Sequence, residues 1–330
     1  MMRKRILVSL AMIISVFFVI PFTMGATREG VSQARINKAL QTQANIPTCM
    51  NRVDIPTSEL HWIYVPTNAS ELHTEENYMY LAGQLITNKV VDGSSCPAGG
   101  LSSGGFANAC GMSKAQPMVI TIQNSLDQAI LDAWKNVGVP PVLLKQMIRY
   151  ESQFWPGVNQ GTHYGFTHLT VIGMLNALEW NPSLLQKACS ISSGTCTVNE
   201  ALATTVLQMM DATCASCTNG IDASKAQASV DYLARAVMGY CDQTAQLVFN
   251  ATGWKSGLVV DYPTIWKLTL MNYNAGATCV FDSVAAAFKV NNGPVTWTDI
   301  TSKASGKLCQ RGVFYANQIT AKYYNFPPNQ

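Results

Sequence analysis

The stretch Val139-Pro-Pro-Val-Leu-Leu-Lys-Gln-Met-Ile-Arg-Tyr-Glu-Ser-Gln-Phe154 decides how the chain is read. Pro140-Pro141 can open an α-helix, because a proline in the first turn gives up no intrahelical hydrogen bond. Leu144, Met147 and Ile148 follow at the spacing that gathers them on one face, the buried stripe of that helix. Glu151 stands seven residues after Leu144, four after Met147 and three after Ile148, so it prolongs the apolar face. A carboxyl group so placed is partly desolvated, which raises its pKa toward the range of a general acid. The competing reading is a glutamate at the helix edge, paired with a base such as Lys145. Periodicity alone leaves the two even.

Outward from this helix the pattern stays helical. Ser125-x-x-Gln128 resembles a capping box, and Leu126, Ala129, Ile130, Ala133 and Val137 follow at helical spacing until Gly138 stops the run. Further helices are expected over residues 198–211, 223–239, 264–275 and 313–324. No strand-rich stretch of similar length interrupts them, so the fold class is mainly α. Upstream, residues 92–111 carry Gly93, Gly99, Gly100, Gly104, Gly105 and Gly111 among serines and read as a loop. The domain boundary is placed at its end. That gives a smaller, loop-rich N-terminal region at 27–116, with a short helix at 27–43, and a larger domain at 117–330.

The chain has 330 residues, 48% hydrophobic and 12% charged, which excludes a disordered polypeptide. Residues 1–26 read as a cleaved export signal: Arg3, Lys4 and Arg5 are basic, 6–22 are apolar, and 23–26 supply small residues for cleavage. The remaining chain has 19 basic residues against 19 acidic ones, so no basic field favours nucleic acid. Ten cysteines in an exported chain favour disulfides. Cys214-x-x-Cys217 resembles half of a zinc site, yet it has no matching second pair. The only histidines are His61, His73, His163 and His168. Neither a metal nor a cofactor is therefore expected. Proximity in sequence suggests the bridges Cys279–Cys309, Cys189–Cys196 and Cys214–Cys217.

The 139–154 stretch resembles the catalytic helix of soluble lytic transglycosylases, a proline-led apolar helix ending in Glu-Ser-x-Phe. Tyr164-Gly-Phe-Thr-His-Leu-Thr170 is similar to that family's Gly-Leu-Met-Gln segment. Asn272-Tyr-Asn-Ala-Gly276 is similar to its Ala-Tyr-Asn-Ala-Gly segment, and Val313-Phe-Tyr-Ala-Asn-Gln-Ile319 to its last helix. The four come in family order and span roughly residues 123–326, with an enlarged middle at 190–262. The resemblance implies a lysozyme-like catalytic domain, acting as a monomer on peptidoglycan glycan strands. It implies Glu151 as the sole acid/base and Tyr273 as the tyrosine that orients it. Ser152, Tyr164, Gly165, His168 and Asn274 would contact substrate. The reaction implied is cleavage between N-acetylmuramic acid and N-acetylglucosamine to give a 1,6-anhydro end. This chain departs from the family in having His168 where glutamine is usual, and Asn159-Gln160 where serine is usual. Trp155, Tyr164 and Trp180 are aromatic candidates for a glycan groove.

Three other functions fit parts of the sequence. Goose-type lysozymes hydrolyse the same bond on the same fold but add aspartates after the glycine segment, where this chain has Leu169-Thr-Val-Ile172. A non-catalytic wall-binding protein would explain His168. A disulfide-rich adhesion module would explain the N-terminal region but not the ordered segments.

Overall fold

The computed structural model describes Cys49, residues 61–191 and residues 196–321. The expected export signal, the helix at 27–43 and the end of the last helix beyond 321 lie outside the described residues. Within them the protein is mainly helical, and its β structure is limited to isolated bridges. Thirteen α-helices are present among the described residues: α1 Met79–Thr87, α2 Ala109–Asn124, α3 Asp127–Val137, α4 Pro141–Ser152, α5 Val171–Trp180, α6 Pro182–Ile191, α7 Glu200–Met210, α8 Ala223–Thr252, α9 Ser256–Val259, α10 Tyr262–Ala275, α11 Ala277–Asn291, α12 Trp297–Thr301 and α13 Gly306–Ile319.

The long α8 is the hub. Val230, Leu233, Ala236, Val237 and Ala245 are buried along its length, and α3, α5, α7, α10 and α11 pack around it. A helix buried on most of its circumference belongs to the centre of a domain rather than its surface. Its register against α5 and α10 is fixed by polar groups. Asn272 donates to Gln243 Oε1 (2.8 Å) and Thr244 Oγ1 (3.2 Å), and Gln243 and Asn176 exchange hydrogen bonds of 2.8 and 3.0 Å. Such a network suits a core only when its members find partners, and these do.

Two expectations give way to packing. Ser125 does not cap α3, whose N-cap residue is Leu126 with no side-chain cap. The Ser125 hydroxyl instead donates to Ile122 O at the end of α2 (2.8 Å). The boundary placed between 116 and 117 falls inside α2, which runs on through Pro117. One hydrophobic core, from Cys49 to Ile319, takes side chains from both sides of that position. The glycine-rich stretch is indeed mostly turns and loop, with a 3-10 turn at Pro97–Gly100.

Five disulfides clamp the helices: Cys49–Cys241, Cys96–Cys110, Cys189–Cys196, Cys214–Cys217 and Cys279–Cys309. The three bridges suggested by sequence proximity are among them. The first ties Cys49 to α8, where Asp242 Oδ1 also accepts from the Cys49 backbone N–H (2.7 Å). A chain so cross-linked fits an oxidising compartment. No described helix is long and apolar enough to cross a membrane.

Candidate active site

Helix α4 opens at Pro141 and carries Leu144, Met147 and Ile148 fully buried. It ends one residue after Glu151. Gln153 and Phe154 adopt left-handed backbone (φ 48° and 68°), which turns the chain and drives Phe154 into the core. Glu151 therefore sits in the last turn of a buried helix, at the edge of a cavity of about 500 Å³.

Lys145 does not pair with Glu151. Its ammonium is buried and reaches Asp127 Oδ1 (2.6 Å), Leu72 O (2.5 Å) and Asn124 Oδ1 (3.2 Å), pinning α4 to α3 and to the preceding segment. That leaves the Glu151 carboxyl facing the cavity with no lysine or arginine ion pair among the described residues. Burial pushes its pKa up to about 7, and the Tyr315 hydroxyl pulls weakly the other way. The negative end of the α4 dipole at the helix C-terminus acts in the same sense as burial.

The helices α10 and α13 supply the aromatic wall. They approach closely at Gly312, where a Cβ would stand 2.6 Å from Ala275 Cβ. Across this contact the rings of Tyr273 and Tyr315 stack with centroids 6.2 Å apart. The Tyr273 hydroxyl donates to Thr167 O (2.7 Å) rather than to Glu151, so this tyrosine holds the Gly165–Thr167 turn against the cavity. Tyr315 takes the position next to the acid. Its buried hydroxyl interacts with the Glu151 carboxyl without meeting full hydrogen-bond geometry, and it has no other partner among the described residues. Burial and the nearby Glu151 charge hold both tyrosines well above their ordinary pKa, hence neutral.

His168 closes the turn in left-handed conformation (φ 54°), with Nδ1 3.8 Å from Glu151 Oε2. Burial, and then the nearby His163, hold its pKa below the usual histidine value. Asn274 lines the cavity. Ser152, Tyr164 and Gly165 lie outside the lining. Ser152 is buried, with its hydroxyl on Ile148 O (3.2 Å). Tyr164 is partly buried against the core, and its backbone pairs with Leu169. Gly165 has φ 66° and lets the turn pass close to the Met210 carbonyl, a contact that a Cβ at 3.1 Å would crowd. Trp155 and Trp180 are likewise absent from the lining.

The sequence reading missed Tyr315, Tyr240, Thr167, His163 and Arg311, all at or beside the site. Tyr315 and Thr167 stand inside the segments singled out for resemblance, at positions given no role. No protein-family model matches the chain, and no curated protein matches it significantly.

Proposed function

We propose that this is an exported, single-glutamate peptidoglycan-cleaving enzyme of the lytic transglycosylase type, built on a lysozyme-like domain. The observation that carries the reading is a largely buried glutamate with a pKa near 7, the one carboxylate among the described residues lining a cavity of about 500 Å³. A group that is about half protonated at neutral pH can give a proton and take one back in the same cycle. Hydrolytic glycosidases instead use two carboxyl groups, roughly 5–10 Å apart across the scissile bond.

In this reading protonated Glu151 gives its proton to the glycosidic oxygen as the bond from that oxygen to C1 of the muramyl sugar breaks. The resulting carboxylate takes the proton of the same sugar's C6 hydroxyl as that oxygen bonds to C1. The proton returns to Glu151, no water is consumed, and the new end is a 1,6-anhydro ring. The Tyr315 hydroxyl stands where it can steady the carboxylate between the two transfers. Tyr273 supports the geometry through the Thr167 carbonyl.

Mass spectrometry of products from purified peptidoglycan tests this directly. Anhydromuramoyl ends are expected. Reducing muramoyl ends would make the protein a hydrolase, and an undigested sacculus would overturn the enzymatic reading.

A further inference from the structure

Three polar groups of the cavity have no work in the proton shuttle. Thr167, 1% exposed, borders the cavity, and its buried hydroxyl has no hydrogen-bond partner among the described residues. Asn274 also borders it, and its buried side-chain oxygen is unpartnered among the described residues. Buried polar atoms without a partner, on residues that border a cavity, are the atoms a ligand would satisfy after a small side-chain rotation. Arg311 is the third. It stands on α13 one turn before Tyr315, about 6 Å along the axis and on the same face. Its Nη2 reaches Asn274 O over a long 3.4 Å, and no carboxylate pairs with it among the described residues. The cavity therefore presents a cation beside an unpartnered amide oxygen, close to an acid that is about half neutral at pH 7.

These groups specify their ligand by chemistry. A carbonyl-type oxygen only accepts, a guanidinium only donates, and a hydroxyl does both. An N-acetylated amino sugar offers an amide N–H to Asn274 and hydroxyls to Thr167. A neutral polymer of such sugars leaves Arg311 without a counter-charge. A muramyl sugar carries the amide on C2 and an acidic ether arm on C3, neighbouring carbons, much as Arg311 neighbours Asn274.

We propose that Arg311, Asn274 and Thr167 form a subsite for the acidic arm and acetamido group of a muramyl sugar, with Arg311 binding a carboxylate on that arm. The assignment rests on the glycan-cleaving reading of Glu151. The carboxylate belongs either to the lactyl group itself, on strands free of peptide, or to the peptide attached to it.

Kinetics of the full chain and its Arg311→Gln and Arg311→Lys variants decide the matter, on peptide-free and on peptide-bearing glycan strands. Chitohexaose serves as a neutral competitive inhibitor, and circular dichroism checks the fold. Arg311→Gln should raise KM about fivefold, the scale of one partly exposed charge pair, with kcat unchanged. The inhibition constant of chitohexaose should not move, and Arg311→Lys should recover part of the loss. A rise on peptide-free strands assigns the lactyl carboxylate; a rise on peptide-bearing strands alone assigns the peptide. Unchanged KM on both, or an equal weakening of chitohexaose, would overturn the subsite. A wild-type chain that cleaves neither substrate would refute the glycan-cleaving reading itself.

Discussion

His168 Nδ1 lies 3.8 Å from Glu151 Oε2, with the imidazole held neutral by burial while the carboxyl holds its proton to about 7. The groups facing this pair are His163 from the same loop, Tyr240 from α8, Tyr273 from α10, and Tyr315 and Arg311 from α13. Loss of the Glu151 proton should therefore set an alkaline limb in kcat/KM near pH 7. Protonating His168 should set an acid limb below the ordinary histidine pKa, because a cation at this distance favours the ionised glutamate. His168→Gln, which restores the amide usual in the family that the sequence resembles, should flatten the acid limb and keep the alkaline one. A pH profile identical to that of the wild type would remove His168 from the chemistry.

Glu151→Gln separates catalysis from folding. Turnover should fall at least ~100-fold, the low end for losing acid/base catalysis. Stability should move the other way, and only at higher pH. An unfolded glutamate releases its proton near 4.5, whereas the folded one holds it to about 7. Its contribution is thus fully present below pH 4.5 and lost as pH rises through 7. The sign makes the largely buried glutamate a cost of about 3 kcal/mol at pH 8. Urea denaturation should show the glutamine variant more stable at pH 8 and equal to the wild type at pH 4. Equal stability at both would mean that Glu151 is not desolvated.

Glu151 at the end of its buried helix was legible in the sequence because the signals are local. Proline placement, a 3.6-residue stripe and a carboxylate at its end lie within one short segment. What the sequence concealed depended on how helices rotate against one another. Tyr273 and Tyr315 are both tyrosines in suggestive segments, and only the α10–α13 contact at Gly312 decides which faces the carboxyl. Gly239, taken as the end of a helix, lies inside α8, where a Cβ would meet Ala177 O at 2.8 Å. It serves close packing rather than termination. The Lys145–Asp127 pair resolves the ambiguity that periodicity left at Glu151, and nothing local announces it.

That pair makes its own prediction. Lys145 and Asp127 are both buried, so removing one leaves the other uncompensated. Lys145→Met should destabilise the protein by about 3–5 kcal/mol, and adding Asp127→Asn should restore most of it. Chemical denaturation of the single and double variants provides the check. Additive losses would show that the pair is not coupled.

The two tyrosines should fail differently. Tyr315→Phe removes the hydroxyl beside Glu151, so the alkaline limb should shift upward and kcat should fall. Tyr273→Phe frees the Thr167 carbonyl, a loss of about 1 kcal/mol in stability that leaves the limb in place. Interchanged phenotypes would return the orienting role to Tyr273.

Cys279 and Cys309 join the first turn of α11 to the first turn of α13, and α13 is the helix that presents Arg311 and Tyr315 to the cavity. The bridge spans 30 residues, for which loop-closure entropy gives about 3–4 kcal/mol of stabilisation. It also limits how far α13 can slide along α10, and the Tyr315–Glu151 contact depends on that register. A paired Cys279→Ser, Cys309→Ser variant should therefore unfold at lower urea and, while still folded, show the weakened turnover of Tyr315→Phe. The Cys214–Cys217 bridge joins cysteines only 3 apart in sequence and outside the cavity lining, so Cys214→Ser with Cys217→Ser should leave turnover intact. Peptide mapping without reduction establishes that the bridges are present in the starting material. If both double variants lose turnover equally, the disulfide does not act through the placement of α13.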